Sequence, residues 1–419
     1  MPIVDEVKKK IKRRIMGHFF VTRSYRRKNV IDDIVTERPF DYSSPWKEKF
    51  FRAMRYSFEH HVARSPFYKK LCEHKGFTSA NLKSFDDIWN IPFILSDAFK
   101  AFNIGTNTGG FFRTDITSTG TSGRKSRVGL DMISGRRLLY STYHIYKSLG
   151  LVDEKRRANY LMMAYDPDLD ESLATTNSNI LISHFAPRNA MFYALAADSG
   201  GRTAFLRDEA AERLKNFNDK GQPVRMLGFM HHTCEVVRAY VKKYGAVRFP
   251  KGSCILTGGG WKNFGHLYGE DFDPVAFLKE HTAIDPKNVR DLYTLSEHPI
   301  FYLQCEHHNM HIPNVALACI RDPRTLKVLP YGETGLVHLY SPLIESAPVL
   351  SILTTDYGRI GANCTCPVGG PFIKISGRAG ITKKATCALT ADQYIKHAAP
   401  TGDDLRGRQP AQTLRLSTA

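Results

Sequence analysis

No run in this chain approaches the roughly 18 consecutive apolar residues that a bilayer-crossing helix needs, so a transmembrane reading is excluded at the outset. A secretory signal is missing too. The first twenty residues, MPIVDEVKKKIKRRIMGHFF, are basic but hold neither the apolar segment nor the small-residue cleavage site of such a signal. The expectation is an intracellular, cytoplasmic protein. Cysteine is sparse, with 8 in 419 residues spaced unlike a secreted disulfide framework; reduced thiols or metal ligands are expected instead. Acidic residues are also short, 41 Asp+Glu against 59 Lys+Arg, and much of the +18 balance sits early, in KKKIKRR and RSYRRK. Such a basic segment suits weak contact with an anionic membrane surface, nucleic acid or an acidic protein, and equally a solvated helical face. No zinc-finger or RNA-binding signature follows it, so no specific nucleic-acid partner is expected. Internal repeats are absent.

What remains is ordinary for a globular protein: 42% hydrophobic and 24% charged residues, in a chain long enough for one large core or two unequal ones. From about 46 to 100 the spacing is helical, as in WKEKFFRAMRYSFEHHVARSPFYKKLCEH, until Pro66 interrupts it. Residues 110 to 130 read as two strands, FFRTDIT and SRVGLDM, around the loop Ser118-Thr119-Gly120-Thr121-Ser122-Gly123-Arg124-Lys125. Backbone N–H groups, hydroxyls and positive charge together suit a polyphosphate. A Walker P-loop is disfavoured, because Arg124 separates Gly123 from Lys125 and a strand rather than a helix follows.

From 224 onward apolar runs alternate with amphipathic segments: VRMLGF, TCEVVRAYVKKYG, SCILTGGG, DPVAFLKEHTA, VRDLYTL. This alternation predicts parallel strands with helical crossovers, whose ligands bind beyond the strands' carboxyl ends. Those ends carry His231-His232, Gly258-Gly259-Gly260-Trp261 and Ser296-Glu297-His298. After 311 the strands shorten (MHIPNVALACI, GETGLVHLYS, APVLSILTTD), which predicts a small antiparallel subdomain on the α/β core. No element is assigned between 131 and 223. The expected division is a basic segment 1–45, a large domain 46–376, a reduced C-terminal segment 377–398 and a disordered tail 399–419.

Cys305, followed by His307, His308 and His311 in CEHHNMH, pairs naturally with Cys364 and Cys366 in CTCP as a Cys₃His zinc site, with His311 as the fourth ligand. The other reading is a set of buried free thiols.

The ordered set STGTSGRKS, LTGGGWK, LYTLSEHP, LTTDYGRI and SGRAG, within roughly 45 to 395, resembles the adenylate-forming superfamily of acyl-CoA synthetases, specifically the acyl-protein synthetases of the bacterial-luminescence fatty-acid reductase complex. The resemblance implies an α/β fold with mixed and parallel sheets flanked by helices. It also implies ATP and Mg²⁺, with formation of an acyl-adenylate from a carboxylic, fatty acid. Ser118 to Ser126, with Lys125, would hold the β- and γ-phosphates. Glu297 would lie near the magnesium, Tyr293 and Gly258 to Trp261 near the adenine, Asp356 at the ribose, and Arg378 at the hinge side. His231 or His232 would polarise the substrate carboxylate, or be a helix-start histidine satisfied by backbone; both readings stand. Cys387, with Lys383 and Lys384 beside it, resembles the cysteine that such synthetases acylate, though a lone cysteine also serves as a small hydrophobe. The partner would then be an acyl-accepting reductase or carrier protein, and a homo-oligomer is left open. The 42 residues after Gly377 depart from the wider superfamily, being too few for a complete second domain with its catalytic lysine. Lys383, Lys384 and Lys396 are candidates for that lysine. Alternatives are ligation to CoA, a carrier protein or an amine, and, in another class, a non-catalytic basic binding protein on a ligase fold.

Overall fold

The computed structural model describes residues 25–106, 113–117, 126–166, 174–197, 203–259 and 271–378. The first helices are α1 (Asp32–Val35), α2 (Ser44–Arg64) and α3 (Pro66–His74). Pro66 does more than end α2: a residue without N–H at the first helical position costs nothing, and the Ser65 hydroxyl accepts from the Tyr68 amide, so the proline starts a second helix. There follow β1 (Ile94–Leu95), the short α4 (Ala98–Ala101) and a hairpin of β2 (Arg113–Thr117) and β3 (Arg127–Asp131). The hairpin matches the two strands expected around the Ser/Thr/Gly loop. Next come α5 (Met132–Ser148), β4 (Ala158–Tyr165), α6 (Ala174–Ile182), β5 (Arg188–Ala197), β6 (Thr203–Phe205), α7 (Arg207–Asp219), β7 (Val224–Gly228), α8 (Met230–Tyr244), β8 (Cys254–Gly258), α9 (Pro274–Thr282), β9 (Val289–Leu295) and β10 (His298–Leu303). The last third is β11 (Met310–His311), β12 (Leu317–Arg321), β13 (Val328–Leu329), β14 (Gly335–Tyr340), β15 (Ser351–Gly361) and β16 (Phe372–Arg378).

Two seven-stranded sheets result. One runs β10-β9-β8-β7-β4-β5-β6, parallel at its centre and antiparallel only at its two edges. Both faces of its centre are covered. Tyr146, Leu181 and Phe185, from α5, the end of α6 and the bend after it, pack with Leu227 and Leu256 on one face. Leu214, Val237 and Leu278, from α7, α8 and α9, pack with Met226 and Ile255 on the other. That cover explains the unbroken apolar run of β4, ANYLMMAY, buried at seven of eight positions. The other sheet is antiparallel, β11-β16-β15-β14-β12-β13, with β1 added parallel to β15.

Three expectations change. The antiparallel part is not a small attachment: its sheet packs with α1, α2 and α3 into the largest apolar cluster. MHIPNVALACI is not one strand, because Pro313 lacks a ladder donor and the segment splits into β11 and β12. Part of the expected basic segment packs into the body, for Ile31, Ile34 and Val35 join that cluster. Arg137, 0% exposed, locks them in place. It donates to Asp32 Oδ1 at 2.8 Å, to Glu345 Oε2 at 2.7 Å and to Asn29 Oδ1 at 2.8 Å. Removing one partner of such a buried charge set costs roughly 3–5 kcal/mol.

Candidate active site and metal centre

Four of the expected side chains, Tyr293, Glu297, Asp356 and Arg378, gather where the two sheets meet. Leu295 and His298 are paired across the β9–β10 hairpin, so Ser296 and Glu297 form a two-residue turn. Glu297 is only 5% exposed. Burial pushes its carboxyl up; the nearby Ser126 hydroxyl and the charge of Lys100 pull the other way. Ser126 is the first described residue after the Ser/Thr/Gly loop, so Glu297 abuts the mouth of that loop. Residues 118–125, including Ser118, Thr119, Gly120, Thr121, Ser122, Gly123 and Lys125, lie outside the described residues, as do Gly260, Trp261 and Cys387.

Four residues earlier on the hairpin, Tyr293 donates its hydroxyl to Asp356 Oδ2 at 2.7 Å. Asp356 stands opposite Arg378 in the β15–β16 register, and Arg378 Nε donates to Asp356 Oδ1 at 3.0 Å. The carboxylate is thus 6% exposed with one charged and one neutral donor. Burial, then the nearby Asp356 charge, holds the Tyr293 phenol well above its ordinary value. The Thr354 hydroxyl accepts from the Asp356 amide at 3.1 Å and fixes the strand beneath. The family resemblance thus named the Tyr293–Asp356–Arg378 set and Glu297, and the structure brings them to one seam. It also adds Lys100 and Thr354, for which ILSDAFKAF and SILTTD hold no distinguishing pattern. A further unforeseen group is Asp291, lifted to about 6 by burial while the Thr257 hydroxyl donates to it at 3.0 Å.

His231 and His232 lie beyond the carboxyl end of β7, as expected. They occupy the first turn of α8, just past β7. His231 is buried, its ring 3.9 Å from that of His232 and stacked on Phe229 at 5.8 Å, while Phe205 lies 4.3 Å from His232. Gly228 makes this close turn practicable: its φ is +130°, and a Cβ there would sit 2.2 Å from the Met163 carbonyl oxygen. Just past the end of β8, Gly259 has φ +77°, a backbone that side chains rarely adopt.

On the far side of both hairpins lies a second cluster. The ligand atoms of Cys305, His311, Cys364 and Cys366 all fall within 4.8 Å of one another. Cys305 Sγ is 3.8 Å from Cys364 Sγ, and Cys366 Sγ is 3.2 Å from His311 Nε2. Two sulfurs on a tetrahedral zinc with bonds near 2.3 Å stand about 3.8 Å apart, so the donor set fits that ion. Burial lowers His311 to about 4, which keeps it a neutral ligand. Burial raises Cys364, but hydrogen bonds from Asn309 and the Cys366 backbone outweigh it and bring the thiol to about 7; burial lifts Cys366 to about 11. His307 stands outside the quartet, its Nδ1 4.0 Å from Cys364 Sγ.

A central parallel sheet joined to an antiparallel one places this chain in the fold class of the ligases whose solved structures align with it. The solved structure of an open 2-hydroxyisobutyryl-CoA ligase, in complex with 2-HIB-AMP and CoA, aligns at TM-score 0.59 and 15% identity over 83% of this chain and 78% of that one. The same ligase in its postadenylation state, with R3-HIB-AMP, aligns at TM-score 0.58 and 15% identity over 82% and 69%. Within that class the chain belongs to the LuxE acyl-protein synthetase family, whose family model matches residues 23–396. Curated relatives include long-chain-fatty-acid–luciferin-component ligases of Vibrio harveyi, 24% identical over 75% of this chain and 80% of the relative, and of Aliivibrio fischeri, 24% identical over 90% and 98%. The protein is accordingly an acid ligase that activates an acyl group and transfers it. No helix among the described residues is long and apolar enough to cross a membrane.

Proposed function

We propose that this enzyme activates a long-chain fatty acid with ATP and passes the acyl group through Cys387 to a partner protein. The observation that carries the adenylation half is the state of Asp356. A carboxylate offers about four acceptor positions. Tyr293 takes one on Oδ2 and Arg378 one on Oδ1, which leaves one on each oxygen for the two neighbouring hydroxyls of a ribose. The names of the curated relatives, long-chain-fatty-acid ligases, support the substrate. The acyl-AMP complexes of the aligned ligase structures support the intermediate.

In this reading Ser118 to Ser126 and Lys125 hold the β- and γ-phosphates, and Gly258, Gly259, Gly260 and Trp261 border the adenine with Tyr293. Glu297, when ionised, would hold Mg²⁺, which neutralises phosphate charge when bound. A fatty-acid carboxylate oxygen bonds to the α-phosphorus, the bond to the bridging oxygen breaks, and pyrophosphate leaves; His231 or His232 stabilises the carboxylate's approach. The Cys387 thiolate then attacks the acyl carbonyl, AMP departs, and a thioester remains. A reductase or carrier protein takes the acyl group from there. Cys305, His311, Cys364 and Cys366 would hold a structural Zn²⁺ away from this chemistry.

Two measurements test the reading. Wild-type protein is expected to catalyse fatty-acid-dependent exchange of labelled pyrophosphate into ATP and to acquire a hydroxylamine-labile acyl label. Cys387→Ser is expected to keep the exchange and lose the label. A Cys387→Ser protein that still becomes acylated, or a wild type that acylates CoA and never itself, would overturn the Cys387 step.

A further inference from the structure

Lys100 sits on α4, a short helix that the antiparallel sheet carries to the seam. β1 runs parallel to β15 with Leu95 opposite Leu353, and the Ser96 amide extends the ladder by donating to the Leu353 carbonyl at 3.0 Å. A little further along, β15 presents Asp356. The chain leaving β1 therefore emerges alongside the Tyr293–Asp356–Arg378 set. Phe99, 2% exposed, shares a core cluster with Val128 of β3 and Ile352 of β15, and α4 touches both β1 and β3. The helix is thus fixed between the strand that leaves the Ser/Thr/Gly loop and the strand that carries Asp356.

The charges of this turn act on the site. Lys100 favours the ionised form of Glu297, and the Asp97 charge reaches both Glu297 and Arg378. Lys100 Nζ lies 2.7 Å from Asp97 Oδ1. A pair at this spacing is ordinary on a solvated surface, but here the ammonium is the more enclosed partner, 25% exposed against 54% for Asp97. Arg378 is committed to the buried Asp356 carboxylate, whereas an ion pair to an exposed acid holds weakly. An ammonium can also donate to several acceptors at once. Lys100 can therefore share its charge with an incoming anion at far lower cost than Arg378 can.

We propose that Lys100 is a further substrate-binding residue of the adenylation step, its ammonium donating to the pyrophosphate that leaves the α-phosphorus. The inference rests on the adenylation reading and adds to it a cation from the body of the enzyme. As the bond between the α-phosphorus and the bridging oxygen breaks, negative charge gathers on the departing pyrophosphate, and a cation already fixed beside it lowers the barrier. The Glu297 carboxylate alone would repel that anion. Lys100, whose charge acts on Glu297, offsets the repulsion.

The test pairs two measurements on the full chain: fatty-acid-dependent exchange of labelled pyrophosphate into ATP, and binding of an acyl-sulfamoyl-adenosine, a stable mimic of the acyl-adenylate that carries no pyrophosphate. Lys100→Gln is expected to raise the KM for pyrophosphate and to lower the kcat of exchange, each roughly tenfold or more. The mimic should bind it as tightly as wild type, and the urea midpoint should hold. Lys100→Arg, which restores a cation, is expected to recover most of the exchange. Wild-type exchange kinetics in Lys100→Gln would overturn this inference and leave the adenylation reading standing. Equal losses of pyrophosphate and mimic affinity would overturn it too, since a residue that only supports the fold weakens both. Wild-type protein that exchanges no pyrophosphate with any fatty acid would overturn the adenylation reading, and this inference with it.

Discussion

The Tyr293 hydroxyl, carried by the mainly parallel sheet, donates to Asp356 Oδ2, carried by the antiparallel sheet, at 2.7 Å. This bond crosses the seam at which the two halves of the site meet. Any displacement of one sheet against the other moves the phenol of Tyr293 relative to the carboxylate opposite it. The geometry of the proposed nucleotide end thus depends on how firmly the sheets are joined.

Tyr293→Phe removes the donor and leaves the ring. A hydrogen bond to a charged group contributes roughly 1.5–3 kcal/mol, so urea unfolding should report a loss of about that size. Asp356 Oδ2 would also be freed to turn, and the KM for ATP should rise several-fold while kcat changes less. An unchanged KM in a destabilised Tyr293→Phe protein would mean that the bond serves only the fold.

Glu297 is predicted to separate stability from activity. Because burial raises its folded pKa, the protonated form is the favoured one inside. Its stabilising effect is present below the unfolded carboxyl value and is lost as pH rises through the folded one. Glu297→Gln keeps the shape without the charge, so at pH 8 the variant should unfold no earlier than wild type. Its pyrophosphate exchange should fall on the order of a hundredfold or more. Wild-type exchange should climb with pH across a range above that of an ordinary glutamate. Full exchange in a folded Glu297→Gln protein would remove this residue from the site.

The elements that announced themselves were those with a local pattern. The β2–β3 hairpin flanks a polar loop, and β7, β8 and β9 alternate with amphipathic helices, so periodicity sufficed. β4 was invisible because it is covered on both faces; an apolar run without a period does not distinguish strand from helix. The zinc-type quartet could be read because CTCP and CEHHNMH place donors close together in sequence. The Arg137 set could not: its partners Asp32 and Glu345 are 105 and 208 residues away. Lys100 escaped for the same reason, since its closeness to Glu297 is created by folding alone.

Acid should destabilise the protein in the histidine range. Burial holds His61 and His298 down to about 3 and His338 well below its ordinary value. Each is used as a neutral ring: His61 meets Thr106 Oγ1 at 2.8 Å, His298 meets the Tyr302 hydroxyl at 2.8 Å, and His338 accepts from Arg321 Nε at 2.6 Å. The unfolded chain binds protons near pH 6.5 and the folded one does not, so stability is complete above that value and falls as pH drops through it. Three such groups cost together about 4 kcal/mol per pH unit once well below 6.5. Urea midpoints at pH 7.5 and 5.5 measure this; equal midpoints would contradict it.

The metal centre should govern the seam as well as local folding. Cys305 lies two residues past the end of β10, the strand that leaves the Glu297 turn. Cys364 and Cys366 occupy the connection between β15, which carries Asp356, and β16, which carries Arg378. His311 ends β11, paired with Phe372 at the start of β16. One tetrahedral ion would therefore join the β9–β10 hairpin of one sheet to the β15–β16 hairpin of the other, with the Tyr293–Asp356 bond joining them again at the opposite end. Ion binding at such a site is folding free energy. A strong chelator, or Cys366→Ser, should lower Tm on the order of 10 °C. It should also raise the KM for ATP in protein that remains folded at assay temperature, because Asp356 and Tyr293 would no longer be held in register. Purified protein should contain one zinc per chain, with Cys305, Cys364 and Cys366 shielded from thiol reagents until the chelator is added. Protein without zinc, whose three thiols react at once and whose Tm ignores the chelator, would leave the quartet as packed free thiols and the seam held by the Tyr293–Asp356 bond and side-chain packing alone.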